Sequence, residues 1–264
     1  MSKTPFRALE GDYTSGLLLL ADHATNHVPE QFGTLGLAPD SFQRHIAFDI
    51  GIEPLTEQLS AMLGVPAVMS QFSRLLIDPN RGEDDPTLIM KLSDGAIIPA
   101  NHPMNEEARR DRIENFYRPY HQAIDAALAK MSDACGHAPL VISLHSFTPY
   151  WKGVARPWQA GVLWDNDPRA ITPLISGLRE AGYVTGDNEP YDGALKGDTM
   201  YRHCMRKGIP HALLEVRQDL IATPEGVKEW ADILTPLLAK MNAMPVLHEF
   251  KLHTSRTGPY SKGE

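Results

Sequence analysis

The stretch Leu17-Leu18-Leu19-Leu20-Ala21-Asp22-His23-Ala24-Thr25-Asn26-His27-Val28-Pro29-Glu30 decides how the chain is read. An unbroken apolar run of this kind marks a strand buried on both faces. It then empties into Asp22, His23, Asn26 and His27 before Pro29 stops it. In an open α/β sheet ligands bind at the carboxyl ends of the strands, so a core strand that ends this way predicts a site at the sheet edge.

The same alternation continues along the chain. Leu17–Ala21, Pro66–Met69, Leu75–Ile77, Leu140–Leu144, Ala160–Trp164 and His211–Val216 are predicted strands. Asp40–Met62, Asn105–Met131, Pro168–Ala181, Gly197–Lys207 and Pro224–Met241 have helical periodicity, and Thr223 before Pro224 and Glu225 is a good N-cap. Strand and helix taking turns predict an α/β fold, a three-layer sandwich with a mixed, largely parallel central sheet. Residues 82–104 read as an irregular loop or lid, and the polar residues 253–264 as a mobile tail on a single domain spanning 1–264.

Composition excludes several classes. The chain has 264 residues, 42% of them hydrophobic, which suffices for a sizeable core. Lys plus Arg is 25 against 33 Asp plus Glu, a formal charge of -8, so no global positive field draws nucleic acid or an anionic membrane. Cys135 and Cys204 stand far apart without a CxxC context, which fits a reduced, cytoplasmic protein. No apolar run approaches the roughly 20 residues of a membrane span, and residues 1–16 hold no apolar segment ahead of a cleavage site, so no secretory leader is expected. GxGxxG, P-loop and GxSxG motifs are absent, so nucleotide binding and serine hydrolysis have no support.

The chemistry-bearing residues cluster at strand ends. His23 follows the first strand and His145, in Ser143-Leu144-His145-Ser146-Phe147, follows another. A catalytic zinc takes three protein ligands and keeps one position open. The alternative is a loop hydrogen bond for one histidine and a satisfied core position for the other. Asp49 is the third candidate: with His45 four residues earlier it shares a face of a predicted helix, among apolar neighbours. A buried aspartate needs a partner, and Arg44 or Arg74 would serve as well as a metal. Asn26 is the competing ligand, a poorer one because its amide is neutral.

Arg74, Asp78, Asn80 and Arg81 flank the short apolar run Leu75–Ile77. An arginine fork binds a carboxylate through two parallel hydrogen bonds, although Asp78 and Arg81 pairing across a turn would explain them too. Glu215 leaves the strand His211–Val216; partly desolvated, it would have a raised pKa and suit proton transfer, unless Arg217 on the same strand face pairs with it. Arg156, Asn188 and Tyr191 either line a pocket or shape loops, and Tyr117 with His121 on one helix face reads as packing.

Taken in order, the blocks ADHATNHVPEQFGTLGL, HIAFDIG, FSRLLIDPNR, SLHSFTP and LLEVRQDLI resemble those of the N-formylglutamate amidohydrolase family, over roughly Leu17 to Ile221. That family is similar to zinc carboxypeptidases and aspartoacylases. The resemblance implies a zinc carboxypeptidase-like (phosphorylase/hydrolase-like) fold holding one zinc ion. It matches His23 to the first ligand, His145 to the later histidine, Asp78–Arg81 to the substrate-gripping D-x-N-R segment and Glu215 to the general base. Asn26 stands where the relatives' HxxE motif has its glutamate, so Asp49 is the expected replacement. Arg81 would hold a substrate carboxylate or steady the oxyanion, with Asn26, Arg74, Asn80, Arg156, Asn188, Tyr191 and Arg217 as further substrate-binding residues. The implied reaction is hydrolysis of an N-formyl or short N-acyl amino acid such as N-formylglutamate. A binding protein for a small carboxylate metabolite, with or without metal, is the reading of a different class, and binding alone has no use for an acid/base group at Glu215.

Overall fold

The computed structural model describes residues 4–93 and 95–260. Its strands are β1 (Phe6–Leu9), β2 (Leu17–Ala21), β3 (Ala67–Ser70), β4 (Leu92–Ser93), β5 (Ala96–Ile97), β6 (Leu140–Phe147), β7 (Tyr150–Trp151), β8 (Val154–Ala155), β9 (Ala160–Leu163), β10 (Thr185–Asp187) and β11 (His211–Arg217). Seven of them form one sheet in the order β1-β3-β2-β6-β11-β9-β10, while β4–β5 and β7–β8 are small hairpins outside it. Strands β3, β2, β6 and β11 run parallel. β1 is antiparallel to β3, and β9 is antiparallel to β11 but parallel to β10. The sheet is mixed and mostly parallel.

Helices α1 (Ile52–Leu63), α2 (Glu106–Arg112), α3 (Arg118–Cys135), α4 (Ile171–Glu180), α5 (Thr199–His203) and α6 (Pro224–Asn242) cover it. The central strands are apolar throughout because both faces are covered. Leu17, Leu19, Ile142 and Leu214 pack with α1, α4 and α6, whereas Leu18, Leu20, Val141 and Leu213 pack beneath α3. Two cores, one on each face, make the three layers.

Some expectations needed correcting. Leu75–Ile77 is no strand: Leu76 N–H bonds Ser73 O at 2.9 Å in a turn, and the segment is apolar because it fills the core under α3. The helix expected over Asp40–Met62 is a 3-10 turn at Pro39–Gln43, an irregular stretch, and then α1 from Ile52. Gly51 sets that boundary: its φ is 84°, and a Cβ there would lie 2.2 Å from Ile221 O. Its backbone is open only to glycine. The helix expected over Gly197–Lys207 is the short α5 followed by a 3-10 turn at Met205–Lys207. The edge strand β1 and the short β10 were not anticipated. Within residues 82–104 the chain is irregular apart from β4–β5 and the turn Pro99–Asn101. In the expected tail, Arg256 Nη2 reaches Asp192 at 2.6 Å and Tyr260 Oη donates to His253 O at 2.6 Å, while residues 261–264 lie outside the described residues. Among the described residues no helix is long and apolar enough to cross a membrane.

Candidate active site

Three neighbouring parallel strands deliver the polar residues to one edge. His23 lies just beyond β2, His145 is on β6, and Glu215 on β11 stands opposite His145 in the register. Asp49 arrives from the irregular stretch before α1, its backbone N–H bonded to His23 O at 2.9 Å. His45 and Asp49 are therefore brought together by a turn and not by a helix, with His45 Nδ1 3.5 Å from Asp49 Oδ1.

His23, Asp49 and His145 are buried, and one candidate ligand atom from each lies within 4.8 Å of the others. His145 Nδ1 is 3.0 Å from Asp49 Oδ2, and His23 Nδ1 is 3.4 Å from the same oxygen. The opposite nitrogens each meet another buried carboxylate. His23 Nε2 is 2.7 Å from Asp78 Oδ1, and His145 Nε2 is 3.1 Å from Asp22 Oδ2. A carboxylate accepts only, so Asp78 and Asp22 each suit a ring proton on Nε2, the tautomer in which both Nδ1 lone pairs are turned toward Asp49. Two such lone pairs then face one carboxylate oxygen. In that tautomer a cation would relieve the repulsion among the three, and among the described residues His23 Nδ1 has no hydrogen-bond partner. The donor set fits a divalent metal, backed by the carboxylate–histidine arrangement usual around zinc.

Both backing carboxylates are themselves held. Asp22 accepts from Tyr120 Oη at 2.9 Å and Thr199 Oγ1 at 2.7 Å, and Asp78 from the Asn80 N–H at 2.9 Å. Burial pushes Asp22 up, but the hydrogen bond and charge of His145, with Thr199, outweigh it and hold Asp22 near 2. Burial is likewise outweighed at Asp78, which His23 and Arg81 keep well below the carboxylate range. Burial and the charge of Arg74 depress His23 to about 4, so its ring is neutral and ligand-competent near neutral pH. Arg74 also contacts Asp49 Oδ1. The arginine partner weighed from the sequence is real, yet it leaves Oδ2 to the histidines. Burial raises Glu215 against the pull of His145 and Arg74, and its Oε2 has no hydrogen-bond partner among the described residues.

A cleft of about 870 Å³ opens over these groups, lined among others by Arg74, Asn80, Arg81, Trp151, Tyr191 and Glu215. Arg81 donates to Thr87 Oγ1 at 3.2 Å and to Asn80 O at 2.7 Å, and Asp78 is turned to His23 instead of pairing with it across the turn. Asn80 Oδ1 accepts the Thr199 N–H at 3.1 Å and so ties the D-x-N-R segment to α5. Four residues expected to bind substrate are absent from the lining. Asn26 Nδ2 donates to Phe42 O at 2.7 Å and so ties to the 3-10 turn. Asn188 Oδ1 accepts from Trp164 N and Gly193 N at 2.9 and 3.0 Å. Arg217 pairs with Asp219 at 2.8 Å and not with Glu215. Arg156 is buried and meets the cleft through residues that line it: its guanidinium is 4.9 Å from the Tyr191 ring centre and donates to Thr148 Oγ1 at 3.1 Å. Sequence reading missed Asp22 and Asp78 as the histidines' partners; their signal was adjacency, since Asp22 directly precedes His23.

The sequence model of the N-formylglutamate amidohydrolase family matches residues 15–222. The chain belongs to this family. Its members are amidohydrolases, and the matched span contains every residue of the cluster just described. A structure of the gene product Atu2144 from Agrobacterium tumefaciens is similar at 30% identity and a TM-score of 0.83, covering 90% of this chain and 94% of that one. N-formylglutamate amidohydrolase from Ralstonia eutropha JMP134 shares the fold at a TM-score of 0.71 and 23% identity, covering 90% of this chain and 97% of that one. No curated protein matches the chain.

Proposed function

We propose that this chain hydrolyses N-formyl or short N-acyl amino acids, N-formylglutamate among them, with one divalent metal ion, zinc, held by His23 Nδ1, Asp49 and His145 Nδ1. The convergence of two bare imidazole nitrogens on one aspartate oxygen, each ring backed by its own carboxylate, carries this reading. Imidazole and carboxylate suit zinc, and three ligands leave a coordination position open. When bound, the ion supplies a Lewis acid that polarises the amide carbonyl and acidifies water beside it.

The protein's own groups do the rest. Arg74 occupies Asp49 Oδ1 and thereby orients the carboxylate. Glu215, raised by burial, takes a proton from the attacking water and returns it to the departing amine nitrogen. The amide C–N bond breaks, giving a short carboxylic acid and a free amino acid. Arg81, on the cleft wall, forks onto the substrate's carboxylate. The acidic charge balance and two free cysteines support a cytoplasmic, single-domain enzyme acting on a small molecule.

Protein purified without chelator should contain about one zinc per chain by elemental analysis. Chelation should abolish turnover of N-formylglutamate, and its carboxamide analogues should be turned over roughly 10 to 150-fold less efficiently. Substoichiometric metal, or no hydrolysis of any N-formyl or N-acetyl amino acid, would overturn the reading.

A further inference from the structure

Behind the D-x-N-R segment two buried histidines that hydrolysis does not use stand ring to ring. His121 on α3 and His203 on α5 stack with their planes 23° apart. They belong to a chain of hydrogen-bonding atoms: His203 Nδ1 is 3.0 Å from Asp125 Oδ1, His203 Nε2 is 2.8 Å from His121 Nδ1, and His121 Nε2 is 3.1 Å from Pro79 O. Both ends, a carboxylate and a carbonyl, only accept. Each link needs a proton, and two neutral imidazoles bring one N–H apiece, which leaves one link short. A protonated Asp125 would fill the gap, but Lys207 Nζ lies 2.6 Å from the same oxygen and holds that half-exposed carboxylate ionised.

We propose that His121 and His203 share one additional proton and act as positioning residues for the segment 78–81. His203 then donates from both nitrogens, to Asp125 and to His121, and His121 donates to the Pro79 carbonyl. Pro79 follows Asp78, which backs His23, and precedes Asn80 and Arg81. One helical turn before His121, Tyr117 Oη donates to Arg81 O at 2.7 Å, so the face that read as packing in the sequence grips the segment at two carbonyls. Several charged and titratable groups face the pair. Asp125 lies on α3 and Lys207 on the 3-10 turn, Arg202 on α5 sits against Tyr117, and Asp22 beyond β2 favours charge on His121. Burial above all, with Arg202, Lys207 and the neighbouring ring, draws both histidines below their usual range, while Asp125, Asp22 and the Pro79 carbonyl pull the other way; it is the unfilled link between fixed acceptors that calls for the proton. When it leaves, a lone pair faces an acceptor at one link and that link opens.

The test is histidine nitrogen NMR on the protein as purified, with the amides of Asn80 and Arg81 followed in the same titration. Near pH 6 the pair should show three protonated ring nitrogens out of four, and the two amides should shift in step as the extra proton is lost. Asp125→Asn, isosteric and half-exposed, should move that common titration down by about one pH unit or more. Two neutral rings near pH 6, or amides that ignore the titration, would overturn the proposal. No substrate is involved, so that failure is distinct from failure of the proposed hydrolysis.

Discussion

At the scale of single residues, the site rests on carboxylates that hold histidines as much as on the histidines themselves. Asp22 and Asp78 fix which nitrogen of each ring is bare. Asp22→Asn and Asp78→Asn should each weaken zinc binding about 10 to 100-fold, read by competition with a chromophoric chelator. Unchanged affinity in both would mean that the ring tautomers are set elsewhere. Glu215→Gln keeps shape and removes basicity: kcat on N-formylglutamate should fall about 100 to 10,000-fold with zinc content unchanged. Near-parental turnover would assign the proton transfer to another group. His23, His145 and Glu215 were legible in the sequence because each closes a buried apolar run. The roles of Asp22 and Asp78 were not, because they arise from contacts across 123 and 55 residues of chain.

At the scale of elements, the sequence conveyed the central strands and long helices, whose apolar residues recur with the right period. It failed where burial has another cause. Leu75–Ile77 is apolar because a turn is buried, and Asp49 reaches the site by a turn that Gly51 terminates. β1 escaped notice because it is an edge strand with two exposed residues among four. The start of α5 is capped by Asp198, whose side chain accepts the Tyr201 N–H at 2.6 Å. Burial, reinforced by the charge of Asp22, raises Asp198 to about 7 against that hydrogen bond. The folded protein therefore keeps a proton that the unfolded chain releases from about pH 4 upward, and stability falls as pH rises from about 4 to 7. Asparagine caps equally well and does not titrate. Asp198→Asn should flatten the decline, measured as urea midpoints across that window; an undiminished slope would place the responsible group elsewhere.

At the scale of the whole molecule, the reversal of β9 within an otherwise parallel neighbourhood governs what overhangs the cleft. β6 ends at the site edge, and Ala160, where β9 begins, stands opposite Val216 near the same edge. The segment 148–159 thus leaves the sheet and rejoins it at one border, carrying β7–β8 with Tyr150 and Trp151, both more than half exposed. Replacing residues 149–155 by a short glycine-rich turn should leave the unfolding free energy within about 1 kcal/mol of the parent, since loop-closure cost varies slowly with length. It should also change relative kcat/KM among N-acyl amino acids of different bulk. A large loss of stability, or an unaltered preference, would contradict this. The hairpin then behaves as an interchangeable attachment: descent can lengthen, shorten or re-sequence it to admit new amides, while the threading of the strands and the machinery beneath stay as they are.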